Sequence, residues 1–226
     1  MYRTGTGVAV VVMLFHQLTG MGAILFYSNT IFAEMPSGLL TPRQGTYAIG
    51  IFNFISSAVS LYTAKRFSRR FLFIGGHISM AISMYLFSTL IIIKKPTYAL
   101  GALFFFLFCF QNSTGAITWL YRSEVAVDVS LGMVGVFGYF TTFVVSLTTQ
   151  PLISSKLHVA GTFMLFATIS FLGGIWMLLF LKETSGGLTD KQKKSLYIPE
   201  DLQEFSNIRE DESTGLLASV TSVENN

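Results

Sequence analysis

GVAVVVMLFHQLTGMGAILFYSNTIF, residues 7–32, runs without a single Asp, Glu, Lys or Arg. A helix crossing the hydrocarbon core of a bilayer needs about 20 consecutive apolar residues, and this stretch exceeds that length. It is too long for a signal-peptide core and has no small-residue cleavage site at its end, so it reads as a retained membrane span. Five more uncharged stretches follow, at 44–64, 71–93, 98–121, 131–153 and 161–181. The breaks between them are short and hold the charges. The fold class expected is therefore all-α, an integral membrane protein with six transmembrane helices.

Composition agrees. Of 226 residues, 51% are hydrophobic and 12% charged, about half the charged share of a soluble domain. Of twelve Asp and Glu, nine lie at or after Glu183; only Glu34, Glu124 and Asp128 precede it. The formal net charge of +3 thus divides into a basic hydrophobic part and an acidic tail. Basic residues between apolar runs describe membrane topology, not the folded basic face that nucleic acid requires, so no nucleic-acid partner is expected. The single cysteine, Cys109, excludes an internal disulfide, and no metal-ligand spacing occurs.

Six spans put both termini on one side. That side carries Arg3, Lys65, Arg66, Arg69, Arg70, Arg122, Lys182, Lys191, Lys193, Lys194 and Arg209; the other carries Arg43, Lys94, Lys95 and Lys156. The positive-inside rule then predicts cytosolic termini.

Polar residues within the spans fall on helical faces. Asn53, Ser56, Ser57 and Ser60 share one face of the second span, Gln111, Thr114, Gly115 and Thr118 one face of the fourth, and Thr142, Ser146, Thr149 and Gln150 one of the fifth. Such faces turn toward other helices or a water-filled cavity. The first and fourth spans, which open the two triplets, each contain a flexible patch: Gly20-Met21-Gly22 and Asn112-Ser113-Thr114-Gly115. Paired interruptions of this kind point to a transporter binding site.

Four segments carry a family resemblance. His16-Gln17-Leu18-Thr19-Gly20-Met21-Gly22-Ala23, ending Phe26-Tyr27-Ser28, resembles the signature of the seventh helix of sugar porters in the major facilitator superfamily. Lys65-Arg66-Phe67-Ser68-Arg69-Arg70 is similar to their R-x-G-R-R loop, Trp119 through Val125 to the W…S-E-[IV] ending of helix ten, and Glu183-Thr184-Ser185-Gly186 to the stretch after helix twelve. They occur in family order over about residues 3–190 and imply the C-terminal six-helix half of a major facilitator fold. Residues 1–185 would form this half, and 186–226 an acidic cytosolic tail, mostly disordered, with a short helix near Thr189–Lys194.

The resemblance implies facilitative transport of a hexose or related polyol by alternating access, with the substrate face on the first, second and fourth spans. Gln17, whose amide offers donors and acceptors to sugar hydroxyls, is the leading pocket residue; His16, Asn53, Gln111 and Trp119 are the others. Here His16 stands where the signature has its first glutamine, Gly22 where it has asparagine, Gln111 where helix ten has glutamate, and Ser68 where the loop has glycine. Arg66, Arg69, Arg70 and Glu124 would form the family's cytosolic charge network.

Six spans supply one wall of a two-walled pocket. Without a second wall the stripes at Asn53, Gln111 and Thr142 would face lipid with unpaired polar groups. The expected partners are therefore a second half-transporter or a homodimer mate, besides sugar and the lipid bilayer. A second reading is a transport-inactive half acting as a binding or regulatory membrane subunit, or a gene fragment. No nucleophile–base pair, phosphate loop or metal cluster appears, so neither an enzyme nor a cofactor is expected. No carboxylate lies within a span, and His16 and His77 read as interhelical hydrogen-bond formers, not a proton relay. In the tail, Glu212-Ser213-Thr214-Gly215-Leu216-Leu217 resembles the acidic dileucine signal read by clathrin adaptors. It points to a plasma or endosomal, lysosomal or vacuolar membrane.

Overall fold

The computed structural model describes residues 3–34, 40–126 and 128–198. The candidate sorting residues Glu212, Leu216 and Leu217 lie outside them. Among the described residues nine α-helices follow in order: α1 (Arg3–Gln17), α2 (Met21–Glu34), α3 (Pro42–Arg66), α4 (Arg69–Ile92), α5 (Pro96–Phe110), α6 (Ala116–Val125), α7 (Asp128–Ser154), α8 (His158–Phe180) and α9 (Asp190–Ser195). A π-helical segment, Gln111–Gly115, joins α5 to α6. By length and composition six helical units can cross a membrane: Thr4–Ala33, Pro42–Arg66, Arg69–Ile92, Pro96–Val125, Ser130–Ser154 and His158–Phe180.

Local sequence explains the boundaries. Thr41 and Gln44 form a capping box at the start of α3, with Pro42 in its first turn, where a missing N–H costs nothing. Ser68 caps α4 by accepting from the Phe71 N–H at 3.3 Å. The expected short helix in the polar region is α9, one residue displaced because Thr189 is its N-cap in a second capping box.

Two apolar clusters make the core. One gathers Ile24, Ile31, Met84, Phe87, Leu103, Phe106 and Phe163, with Phe87 and Phe163 edge to face at 5.3 Å. The other, at the end where α1 begins and α9 lies, gathers Met13, Phe73, Ile117, Tyr121, Met177 and Tyr197. Four spans pass from one cluster to the other through buried polar residues at one level: His16 and Thr19, His77, Asn112 to Thr114, and Ser170. Spans α3 and α7 bury least of the six. Their outer faces expose Phe54, Leu61, Tyr62, Met133, Phe140 and Leu147.

Candidate functional site

The first span breaks at Leu18-Thr19-Gly20. Gly20 has φ +87°, and a Cβ there would lie 2.9 Å from the Phe166 ring. Both the left-handed backbone and the close approach require glycine. The Thr19 hydroxyl donates back to the His16 carbonyl at 2.8 Å, closing the end of α1, and α2 resumes with the Ile24 N–H on the Gly20 carbonyl.

The fourth span widens where its side chains compete for backbone acceptors. Asn112 Nδ2 donates to the Phe108 carbonyl at 2.9 Å and Ser113 Oγ to the Cys109 carbonyl at 2.5 Å. Such back-bonding to i−4 disturbs helical hydrogen bonding, and here it accompanies a π-turn, a form frequent at functional sites. The Asn-Ser-Thr-Gly patch is therefore a bulge and not an unwound strand of chain.

This π-turn touches three neighbouring spans. His16 Nδ1–H donates to the Thr114 carbonyl at 3.1 Å, which fixes the tautomer, since a carbonyl can only accept. The Gln111 amide nitrogen donates to Asn53 Oδ1 at 2.5 Å, and the Thr63 hydroxyl donates to Asn112 Oδ1 at 3.0 Å. Ser113 lies so close to Gly76 of α4 that no Cβ fits there.

The expectation that lone spans leave these amides unpaired is thereby corrected for Asn53 and Gln111, which satisfy each other in part. Thr142 likewise turns its hydroxyl onto the Gly138 carbonyl. In the second-span stripe, Ser56 and Ser60 are buried, Asn53 half-buried and Ser57 exposed. In the fifth, Thr149 is buried and Gln150 exposed.

Of the proposed pocket residues, His16, Gln111 and Asn53 thus converge on the π-turn. Gln17 sits half-buried at the last position of α1, its amide without a hydrogen bond to any described side chain or backbone group. Trp119 stands apart from this group: it is exposed, on α6, with the Arg122 guanidinium 3.9 Å above its ring.

At the end of the bundle where α1 begins and α9 lies, two of the four expected network residues, Arg69 and Glu124, meet. Glu124, buried, accepts from Lys193 Nζ at 3.0 Å and the Thr184 hydroxyl at 2.5 Å, and Arg69 lies 3.8 Å away. Arg70 donates to the Leu178 carbonyl at 2.8 Å. Arg66 is exposed and makes none of these contacts. Sequence reasoning missed Glu183, Lys193 and Tyr197 as members. Glu183 accepts from the backbone N–H groups of Arg69 and Arg70. Tyr197 joins its hydroxyl to that of Tyr121 at 2.6 Å and accepts the Lys182 N–H at 2.8 Å. The acidic Glu183-Thr184 pair was visible as a motif, but its helix-capping role depends on which helix start it meets.

The family model described as "Sugar (and other) transporter" matches residues 2–195. The chain is 29% identical over 187 residues to the glucose transporter GlcP of Staphylococcus epidermidis, covering 79% of this chain and 42% of that protein. It is 30% identical over 202 residues to the sugar transport protein MST7 of Oryza sativa subsp. japonica, covering 82% and 39%. The fold is similar to that of the xylose transporter XylE from E. coli in an inward-open conformation. The TM-score is 0.74 at 22% identity, covering 86% of this chain and 42% of that one. The chain therefore spans about two fifths of the length of these relatives.

Proposed function

The chain belongs to the sugar (and other) transporter family, and from that premise we propose that it supplies one six-helix wall of a carrier moving a hexose or related polyol by facilitative alternating access. It is an integral, multi-pass membrane protein of a transporter family, not of an enzyme family. The relatives named above are described as transporters of glucose, of sugar and, at the level of fold, of xylose; these support the substrate class. Our reading takes residues 1–185 as the half-carrier and both termini as cytosolic, on the lysine and arginine asymmetry.

The observation that carries the reading is the meeting of two interrupted spans at one level. The Gly20 break and the π-turn are joined by His16 and Thr114, with the free Gln17 amide beside them. Discontinuous spans placed together at mid-membrane are how transporters expose backbone and amide groups to a solute. Asn53 and Gln111 hydrogen-bond each other and still keep donors and acceptors for sugar hydroxyls. The second wall belongs to a complementary six-helix half or another copy.

The test is uptake of labelled glucose and xylose into liposomes holding the protein, alone and with a co-expressed N-terminal half of a relative. Gln17→Ala should cut uptake on the order of tenfold, as loss of about 1–2 kcal/mol of hydrogen bonding implies. Uptake unchanged by that substitution removes Gln17 from the pocket. No uptake in any combination favours the binding or regulatory subunit instead.

A further inference from the structure

Arg122 lies in the last turn of α6, just past the uncharged stretch 98–121, and its surroundings differ from those of the other cations near it. Arg69 donates to the Ala64 carbonyl, Arg70 to the Leu178 carbonyl, Lys182 to the Leu196 carbonyl and Lys193 to Glu124. Arg122 Nη1 is shut away from solvent and has no acceptor. Among the described residues no carboxylate lies within ion-pair distance of it.

The space around the guanidinium is defined on two sides. Its Cζ lies 3.9 Å from the centre of the Trp119 ring. Nη1 faces Gly135 of α7, where a Cβ would come within 3.7 Å. Glu124, two residues on, is turned toward Thr184 and Lys193. Trp119 is 39% exposed and Arg122 partly so, so the stacked pair is reachable from outside the protein.

Covering one face with the indole and Nη1 with Gly135 still leaves the edges formed by Nε and Nη2 open to solvent. Those edges hold paired N–H donors that match the oxygens of a carboxylate or phosphate, and the indole stabilises the charge without consuming a donor. A guanidinium donor shut from water without an acceptor costs free energy, which an oxyanion settling against this guanidinium would offset.

We propose that Arg122, stacked on Trp119, is a binding site for an oxyanion, a carboxylate or phosphate group. The source is either an acidic or phosphorylated sugar or a lipid headgroup. The site lies apart from the π-turn, so its occupancy is measurable whether or not the chain carries neutral sugar.

The chain has two tryptophans, and Trp176 packs between Phe15 and Phe180. Trp176→Phe therefore leaves Trp119 as the sole reporter. The full chain in detergent, at constant ionic strength set by chloride, is titrated with phosphate, glucuronate and glucose. The same protein is compared in nanodiscs of phosphatidylcholine with and without phosphatidylglycerol. A saturable Trp119 response to phosphate or glucuronate, absent with glucose, identifies a solute site. A response produced by phosphatidylglycerol alone identifies a lipid headgroup. Arg122→Gln should weaken either response at least tenfold, and Arg122→Lys, which keeps the charge but not the fork, by less. The proposal is overturned by the absence of a saturable response to all these anions in the Trp176→Phe protein. A response that persists unchanged in a folded Arg122→Gln or Arg122→Lys protein overturns it equally.

Discussion

Glu183, just beyond the last membrane-crossing helix, accepts the backbone N–H groups of both Arg69 and Arg70, each at 3.0 Å. These are the first two residues of α4. With Ser68 taking the Phe71 N–H and the Ser68 carbonyl taking that of Leu72, every N–H of that first turn has a partner, as a helix start requires. A carboxylate there also meets the positive end of the helix dipole.

Burial works against the charged form of Glu183. Hydrogen bonds from the Ser185 hydroxyl and N–H, the Arg70 N–H and Ser68 outweigh it and hold the carboxyl down at about 2, from an ordinary 4.5. A lowered folded-state value means the contribution is complete above about 4.5 and is lost as pH falls toward 2. Glu183→Gln should lower stability at neutral pH by about 1–2 kcal/mol, the scale of a lost cap. It should also flatten the acid side of a melting curve recorded in detergent from pH 6 to about 3. A variant that keeps the wild-type acid dependence would exclude Glu183 as its source.

How much of this was legible in sequence varies residue by residue. The spans were plain, because lipid forbids charge over about 20 residues and nothing soluble imitates that. The interruptions at Gly20 and at Asn112 to Gly115 were legible because glycine and short polar side chains have few reasons to lie inside an apolar run. Gln111 with Asn53 was half legible: periodicity gave each a face, but which faces meet is a tertiary fact. Glu183 on α4 and Tyr197 on Tyr121 were not legible at all, since they join segments 15 to 114 residues apart. Arg66 was assigned to the network by likeness of motif, yet it is exposed, while Arg69 is half-buried beside Glu124 and Arg70 reaches the Leu178 carbonyl.

Gly20→Ala should be damaging for two separable reasons. A Cβ collides with the Phe166 ring, and φ +87° is a left-handed conformation costing a side chain about 1–2 kcal/mol. Phe166→Leu in the same chain should recover the steric part and leave the conformational part. Full recovery of the melting temperature in the double variant would mean that the backbone at the break relaxes freely.

The His16–Thr114 bond calls for a donor more than for an imidazole. His16→Phe keeps the size and removes the donor to the Thr114 carbonyl, for about 0.5–1.5 kcal/mol of lost stability. His16→Gln retains an N–H donor and should lose clearly less. Equal losses in thermal melting would show that His16 acts through packing against Phe110, whose ring centroid is 5.3 Å away.

The last prediction concerns what covers the least-buried spans. On α3 and α7 the half-buried Asn53, Thr142 and Ser146 sit with exposed Ser57 and Gln150, a mixture that lipid alone serves poorly, since an unsatisfied polar group in hydrocarbon costs several kcal/mol. Intramolecular bonds such as Gln111 to Asn53 reduce that cost without removing it: an amide has four hydrogen-bonding positions, and this contact uses one on each side. The chain should therefore associate through α3 and α7, with another copy or a complementary six-helix half. In mild detergent, light scattering should give at least twice the mass of a single chain once the detergent contribution is subtracted. Cysteines placed at Ser57 and Gln150, in a Cys109→Ser background, should cross-link between chains, while one at Leu179 on the lipid-exposed side of α8 should not. A stable monomer that carries sugar, with no cross-linking at Ser57 or Gln150, would show that six helices form a complete carrier and that these faces meet only lipid.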